Sequence, residues 1–187
     1  MNWRNTSTRY GNLSMGMHWL MLGLIAAVYA CIELRGYFPR GSGLRQGMKN
    51  WHFMLGLSVW LLLLLRLALR LTDTAPRIEP PPVKWQSLAA TAMHLALYGL
   101  MLLMPLLGWM TLSAKGKSLP YFFGFQLPPF LPSLLPPSEA AAELLEELHE
   151  TGGNIGYVLI GLHATAALYH HYIVRDNTLL RMLPRSG

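Results

Sequence analysis

The sequence predicts an all-α fold: an integral membrane four-helix bundle, running up and down, that binds two b haems. Three observations carry that expectation. The chain is 52% hydrophobic and only 13% charged, which is the composition of a membrane protein. Its apolar residues fall in long blocks, four of which reach the roughly 20 residues a helix needs to cross a hydrocarbon core of about 30 Å. Seven histidines lie in or beside those blocks, where ionisable groups are costly and therefore functional by default.

The spans are expected at Leu13–Leu34, Trp51–Leu71, Leu88–Leu112 and Ile155–Val174, within one membrane domain over residues 1–187. Lipid offers no water to satisfy backbone groups, so these blocks must be helical, and the short links between them favour antiparallel neighbours. The first block resembles a signal peptide in having Arg4 and Arg9 before an apolar run, and Val28–Tyr29–Ala30–Cys31 faintly resembles a lipoprotein cleavage site. That reading is rejected. The run is too long for a typical signal core, a tyrosine stands where a small residue is wanted, and cleavage would discard His18. Cys31 is the single cysteine, which excludes an intramolecular disulfide, an iron–sulfur cluster and covalent haem attachment.

The cations set the orientation. Arg4, Arg9, Arg66, Arg70, Arg77, Lys84, Arg175, Arg181 and Arg185 fall on one face, against Arg35, Arg40, Arg45, Lys49, Lys115 and Lys117 on the other. The larger set marks the cytoplasmic side, so both termini are expected there, in a bacterial inner membrane. The loop from Glu33 to Asn50 nonetheless carries Arg35, Arg40, Arg45 and Lys49 on the outer side. Snorkelling and pairing with lipid phosphates would explain them, and so would attraction of a small anion or the holding of haem propionates. The second outer segment, Ser113 to about Glu150, holds a proline- and aromatic-rich stretch, Pro120–Pro137, read as an ordered lid or interfacial layer. Ser138 is positioned to cap a helix leading into the fourth span, with Glu139 and Glu143 suited to its positive end. The proline-rich linker Pro76–Pro82 reads as a connector only.

The histidine spacing is more telling than the number. His149 and His163 are fourteen residues apart, nearly four turns, so on one continuous helix they share a face about 21 Å apart along the axis. The pair Gly152–Gly153 threatens that continuity, because each glycine weakens a helix by about 1 kcal/mol relative to alanine. Chain direction supplies partners at matching depth. His52 follows the outer loop and pairs with His149, while His18, a little over two turns past Arg9, pairs with His163. His94 has a similar depth and competes with His18. Haem suits these sites better than zinc, which wants four ligands, or a di-iron centre, which uses glutamates that the buried spans lack. Two imidazoles on facing helices fill both axial positions of a haem iron, and such a centre passes electrons. Any one of the histidines would be explained as a core residue bonded to a backbone carbonyl, but four at matched depths would not. His170, seven residues past His163, is expected to meet a haem propionate or a quinone.

The residues resemble the bacterial cytochrome b561 family over nearly the whole chain, most closely its superoxide-oxidising, ubiquinone-reducing branch. The likeness rests on Met17–His18–Trp19–Leu20, on Glu33 through Arg40, on Trp51–His52, on Arg66 through Arg70, and on His94 and His149–Glu150. It continues through Gly156–His163, His170–His171 and Asp176–Arg185. The resemblance implies two haem b groups, ligated by His18 with His163 and by His52 with His149. It also implies a ubiquinone site at the cytoplasmic end, for which Arg70, His94 and His170 are the candidates. The expected activity is a superoxide:ubiquinone oxidoreductase: superoxide gives an electron near Arg35, Arg40, Arg45 and Lys49, and ubiquinone accepts it across the membrane. Two alternatives are a quinol-linked electron-transfer subunit for another dehydrogenase or hydrogenase, and a haem or metal transporter. The transporter is disfavoured because alternating access calls for larger, repeated architectures. The partners expected are superoxide, ubiquinone and the lipid bilayer, with no nucleic acid.

Overall fold

The computed structural model describes residues 3–130 and 136–184. Arg185, counted above among the cytoplasmic cations, and residues 131–135 of the proposed lid lie outside the described residues. Four long helices make up most of the chain: α1 over Asn12–Leu34, α2 over Gly43–Thr72, α3 over Lys84–Ala114 and α4 over Glu139–Tyr169. α1 packs along α2, α3 along α4, and α2 against α3.

Each boundary has a local cause. α1 starts at Gly11, whose backbone sits so close to the Trp3 and Arg4 carbonyls that a Cβ there would collide with them. α2 begins about two turns before Trp51, because Ser42 Oγ accepts the Arg45 N–H and caps the helix inside the outer loop. His52 therefore stands well inside α2 rather than at its start. Ser138 caps α4 as expected, its Oγ accepting the Ala141 N–H at 3.3 Å. α4 then runs unbroken through Gly152 and Gly153, so the shared face of His149 and His163 is preserved.

Three helices, α1, α2 and α3, are long and apolar enough to cross a membrane, with mean hydropathy of 1.8 to 2.0. α4 falls short of that measure because the uncharged stretch after Glu150 is diluted by Gly152, Gly153, Asn154, Tyr157, Gly161 and His163. The chain is a membrane protein. Leu88, Leu95, Leu103, Val158 and Ile173 all point outward and exposed, an apolar surface that a soluble protein does not sustain.

The two ends differ. At one end, a short antiparallel hairpin of β1 (Leu119–Pro120) and β2 (Gln126–Leu127) covers α2 and α3, with Leu119 packed on Leu57 and Leu112. At the end carrying both termini, the Pro76–Pro82 linker does more than connect. Pro76 O accepts from Arg181, Arg77 N–H donates to Ser7 O at 2.9 Å, and Glu79 exchanges bonds with Asn177. Arg9 binds the Leu180 and Leu183 carbonyls at 2.9 Å, and Trp19 Nε1 donates to Met182 O at 2.8 Å. Amino-terminal segment, linker and carboxy-terminal segment thus satisfy one another's backbone groups.

Candidate functional site

α4 presents His149 and His163 on one face, about 21 Å apart along its axis. Each meets a histidine from another helix. The His52 and His149 ring centres are 6.0 Å apart, and those of His18 and His163 are 6.3 Å apart. An imidazole nitrogen lies about 2 Å from a bound metal, so two imidazoles sharing one ion have ring centres about 6 Å apart. Both pairs meet that separation. His94 does so as well, its ring centre 5.7 Å from that of His163, so the rings of His18 and His94 both approach His163.

The local chemistry fits a ligated metal. His52 Nδ1 lies 3.0 Å from Val28 O; donating to that carbonyl, it leaves Nε2 with a free lone pair, the arrangement metal-binding histidines use. Among the described residues no hydrogen-bond partner meets the buried His149 Nδ1. Gly108 on α3 makes room for that ring: a Cβ there would stand 3.2 Å from His149 Cε1. Gly108→Ala should therefore displace the His149 ring and leave the His163 region intact, and a haem ligated by His149 would report it as a change in the absorption spectrum of the purified variant. Among the described residues no three His, Cys, Asp or Glu side chains converge to hold a metal ion; a haem iron asks a protein for only two axial nitrogens.

At the hairpin end, Arg35, Arg40, Gly41, Ser42, Arg45, Gln46 and Lys49 line a hollow of about 300 Å³. The four cations are thus brought together, but not in equal roles. Arg45 Nη1 donates to the carbonyls of Arg35 at 3.1 Å and Phe38 at 3.0 Å, so it pins the loop. Nearby, Lys115 pairs with Glu146, and that hydrogen bond holds the Glu146 carboxyl below the usual carboxylate range.

Toward the termini, a cleft of about 480 Å³ between α2 and α3 is lined by Leu67, Arg70, Leu71, Thr91, His94, Leu95 and Tyr98. Arg70 Nη1 donates to Tyr98 Oη at 2.9 Å. Arg70 and His94 share this cleft, whereas His170 does not line it and instead binds Asp176. Two residues escaped the sequence reading as parts of the site. Tyr98 stands one turn past His94, a spacing that signals a shared helix face. Arg66 makes no ion pair among the described residues, yet lies near enough to His18, His94 and His163 to act on all three electrostatically; an unpaired cation in a span was the available signal.

A family profile for prokaryotic cytochrome b561 matches residues 9–185. The chain is 46% identical over 177 residues to cytochrome b561 homolog 1 of Escherichia coli K12, covering 95% of this chain and 98% of that protein. It is 36% identical over 181 residues to the probable superoxide oxidase CybB of Yersinia pestis, covering 95% and 97%. It is 30% identical over 187 residues to cytochrome b561 homolog 2 of E. coli K12. A match over almost the full chain, to a family of b-haem membrane electron-transfer proteins whose histidines are paired here across helices, makes this protein a member of the prokaryotic cytochrome b561 family.

Proposed function

We propose that the protein is a superoxide:ubiquinone oxidoreductase of the bacterial inner membrane, with both termini in the cytoplasm and α4 as the fourth span of a four-helix bundle. The observation that carries this reading is the pair of facing-histidine sites at two depths, the shallower on the helix that begins at the cationic hollow. Two b haems, held by His52 with His149 and by His18 with His163, supply one-electron chemistry when bound. Two superoxide ions leave as oxygen, and one ubiquinone with two protons becomes ubiquinol. Arg35, Arg40 and Lys49 draw the anion to the periplasmic face, Arg45 holds their loop, and Arg66 offers a cation to the deeper site. The cleft of Arg70, His94 and Tyr98 offers a quinone head group hydrogen-bond donors inside an apolar wall. The name of the Y. pestis relative supports the donor.

The test is stopped-flow mixing of the oxidised protein with superoxide, followed by addition of ubiquinone. Haem reduction by the first and reoxidation by the second are expected; no reduction by superoxide, with ready reduction by a quinol, would favour an electron carrier for another enzyme. The assignment of His94 has its own check. His94→Ala should keep both haems and slow reoxidation by quinone, whereas loss of a haem in that variant, with both kept in His18→Ala, would exchange the two roles.

A further inference from the structure

α4 ends in a constructed turn. The residues that follow α4, His170–Val174, widen into a π-turn, a rare form concentrated at functional positions. Arg175 then adopts the left-handed conformation at φ 60°, which a residue with a Cβ takes only where its surroundings fix it. The chain folds back, and Asp176 N–H donates to the His170 carbonyl at 3.2 Å. Asp176 Oδ2 lies 2.5 Å from His170 Nδ1, while Oδ1 accepts the Thr178 N–H at 2.8 Å.

Asp176 is only 3% exposed, and its side chain is closed off from solvent, whereas that of His170 keeps 19%. Burial pushes the Asp176 carboxyl up, but the hydrogen bonds from His170 and Thr178 outweigh it and leave the group below the usual range. A carboxylate fixed against Nδ1 keeps the proton on that nitrogen and turns Nε2 into the exchanging one. The neighbouring ionisable groups are Tyr169, whose ring centre is 5.9 Å from that of His170, Arg181, which lies close enough to feel the Asp176 charge, Tyr10 beneath Arg181, and His171 next along the chain. His170 falls seven residues past His163, on the same helix face and about 10 Å nearer the termini.

We infer that His170 is a proton carrier opening to the cytoplasm and that Asp176 is its positioning residue, together supplying protons for reduction of the quinone. The inference rests on the proposed acceptor. For each ubiquinone, two electrons come from two superoxide ions and two protons leave Nε2 of the imidazolium in turn. The Nδ1 proton stays on its bond to Asp176, and Nε2 is refilled from cytoplasmic water. An amide in its place can still accept the Thr178 N–H but sets an N–H donor against Nδ1, so it keeps the staple at the helix end while removing the charge and the acceptor that hold the proton on Nδ1.

The experiment compares the full-length haem-loaded parent with Asp176→Asn, Asp176→Glu and His170→Gln. The protein is reduced anaerobically, then mixed with ubiquinone-1 across a pH series, and proton uptake on reduction alone is followed with a pH indicator. Asp176→Asn and His170→Gln should keep both haems, reoxidise at least about 10-fold more slowly, and lose the parent's pH dependence. Asp176→Glu should recover most of the rate. Parent-like rates and pH profile in both Asp176→Asn and His170→Gln would overturn the inference. If either variant fails to hold haem, the other and Asp176→Glu decide by the same readouts. If the parent itself is not reoxidised by ubiquinone-1, the acceptor reading fails. The indicator then decides the carrier: uptake lost in His170→Gln sustains it, and uptake retained overturns it.

Discussion

His163→Ala is expected to strip the protein of one haem and leave the second spectrally intact, halving the haem content from about two to about one per chain. Alanine offers no lone pair, and the imidazoles of His18 and His94 that approach His163 come from different helices, so neither replaces a ligand projected from α4. The other site should survive, because His52 and His149 stand about 21 Å away along the axis and are held by separate contacts, the Val28 carbonyl and the space beside Gly108. Pyridine haemochrome content and low-temperature spectra measure the outcome. Retention of both haems would remove His163 from the ligand set, and loss of both would mean that the two sites do not form independently.

The second large effect is expected at the cationic hollow. A positive surface beside an acceptor raises the encounter rate of a small anion by 10-fold or more, and screening shortens its reach to about 8 Å at physiological salt. Arg40→Gln with Lys49→Gln should therefore slow haem reduction by superoxide about 10-fold at low ionic strength and flatten its salt dependence, with haem content unchanged. From sequence alone, Arg45 with Lys49 is the natural pair to neutralise. The structure changes that choice, because Arg45 carries the carbonyls of Arg35 and Phe38, and its loss would loosen the loop as well as remove charge. Arg40 is exposed and hydrogen-bonds nothing among the described residues. Parent-like rates at low salt would assign the loop's charge to lipid or topology.

Much of this protein is legible in its sequence because membrane physics leaves few choices. An apolar block of spanning length must be helical, so α1 and α3 begin and end within a few residues of expectation. A histidine in such a block is too costly to be accidental. A fourteen-residue interval on a continuous helix fixes two depths whatever the rest of the chain does. The continuity itself was not readable: Gly152–Gly153 weakens a helix in isolation, and α4 survives there through its neighbours. Tyr29 reaches across from α1 to donate to the Gly153 carbonyl at 2.8 Å, and Met104 of α3 fills the space beside Gly152.

Tertiary structure alone decided other matters. The start of α2 depends on a serine cap inside a loop that the sequence marks only by its charges. The linker's role depends on bonds to segments about 70 and 100 residues distant in sequence, at Ser7 and Asn177. Which of Arg70, His94 and His170 share a cavity depends on how α2, α3 and α4 turn about their axes, and the π-turn that delivers Asp176 to His170 has no periodic signature. The sequence by itself determined the helical membrane class, the family with its b haems and the spacing of His149 and His163 along one helix, because burial in lipid and helical rise act along one chain. Only the fold decided which side chains meet, because helix rotation and loop closure are set by contacts between segments that no local pattern records.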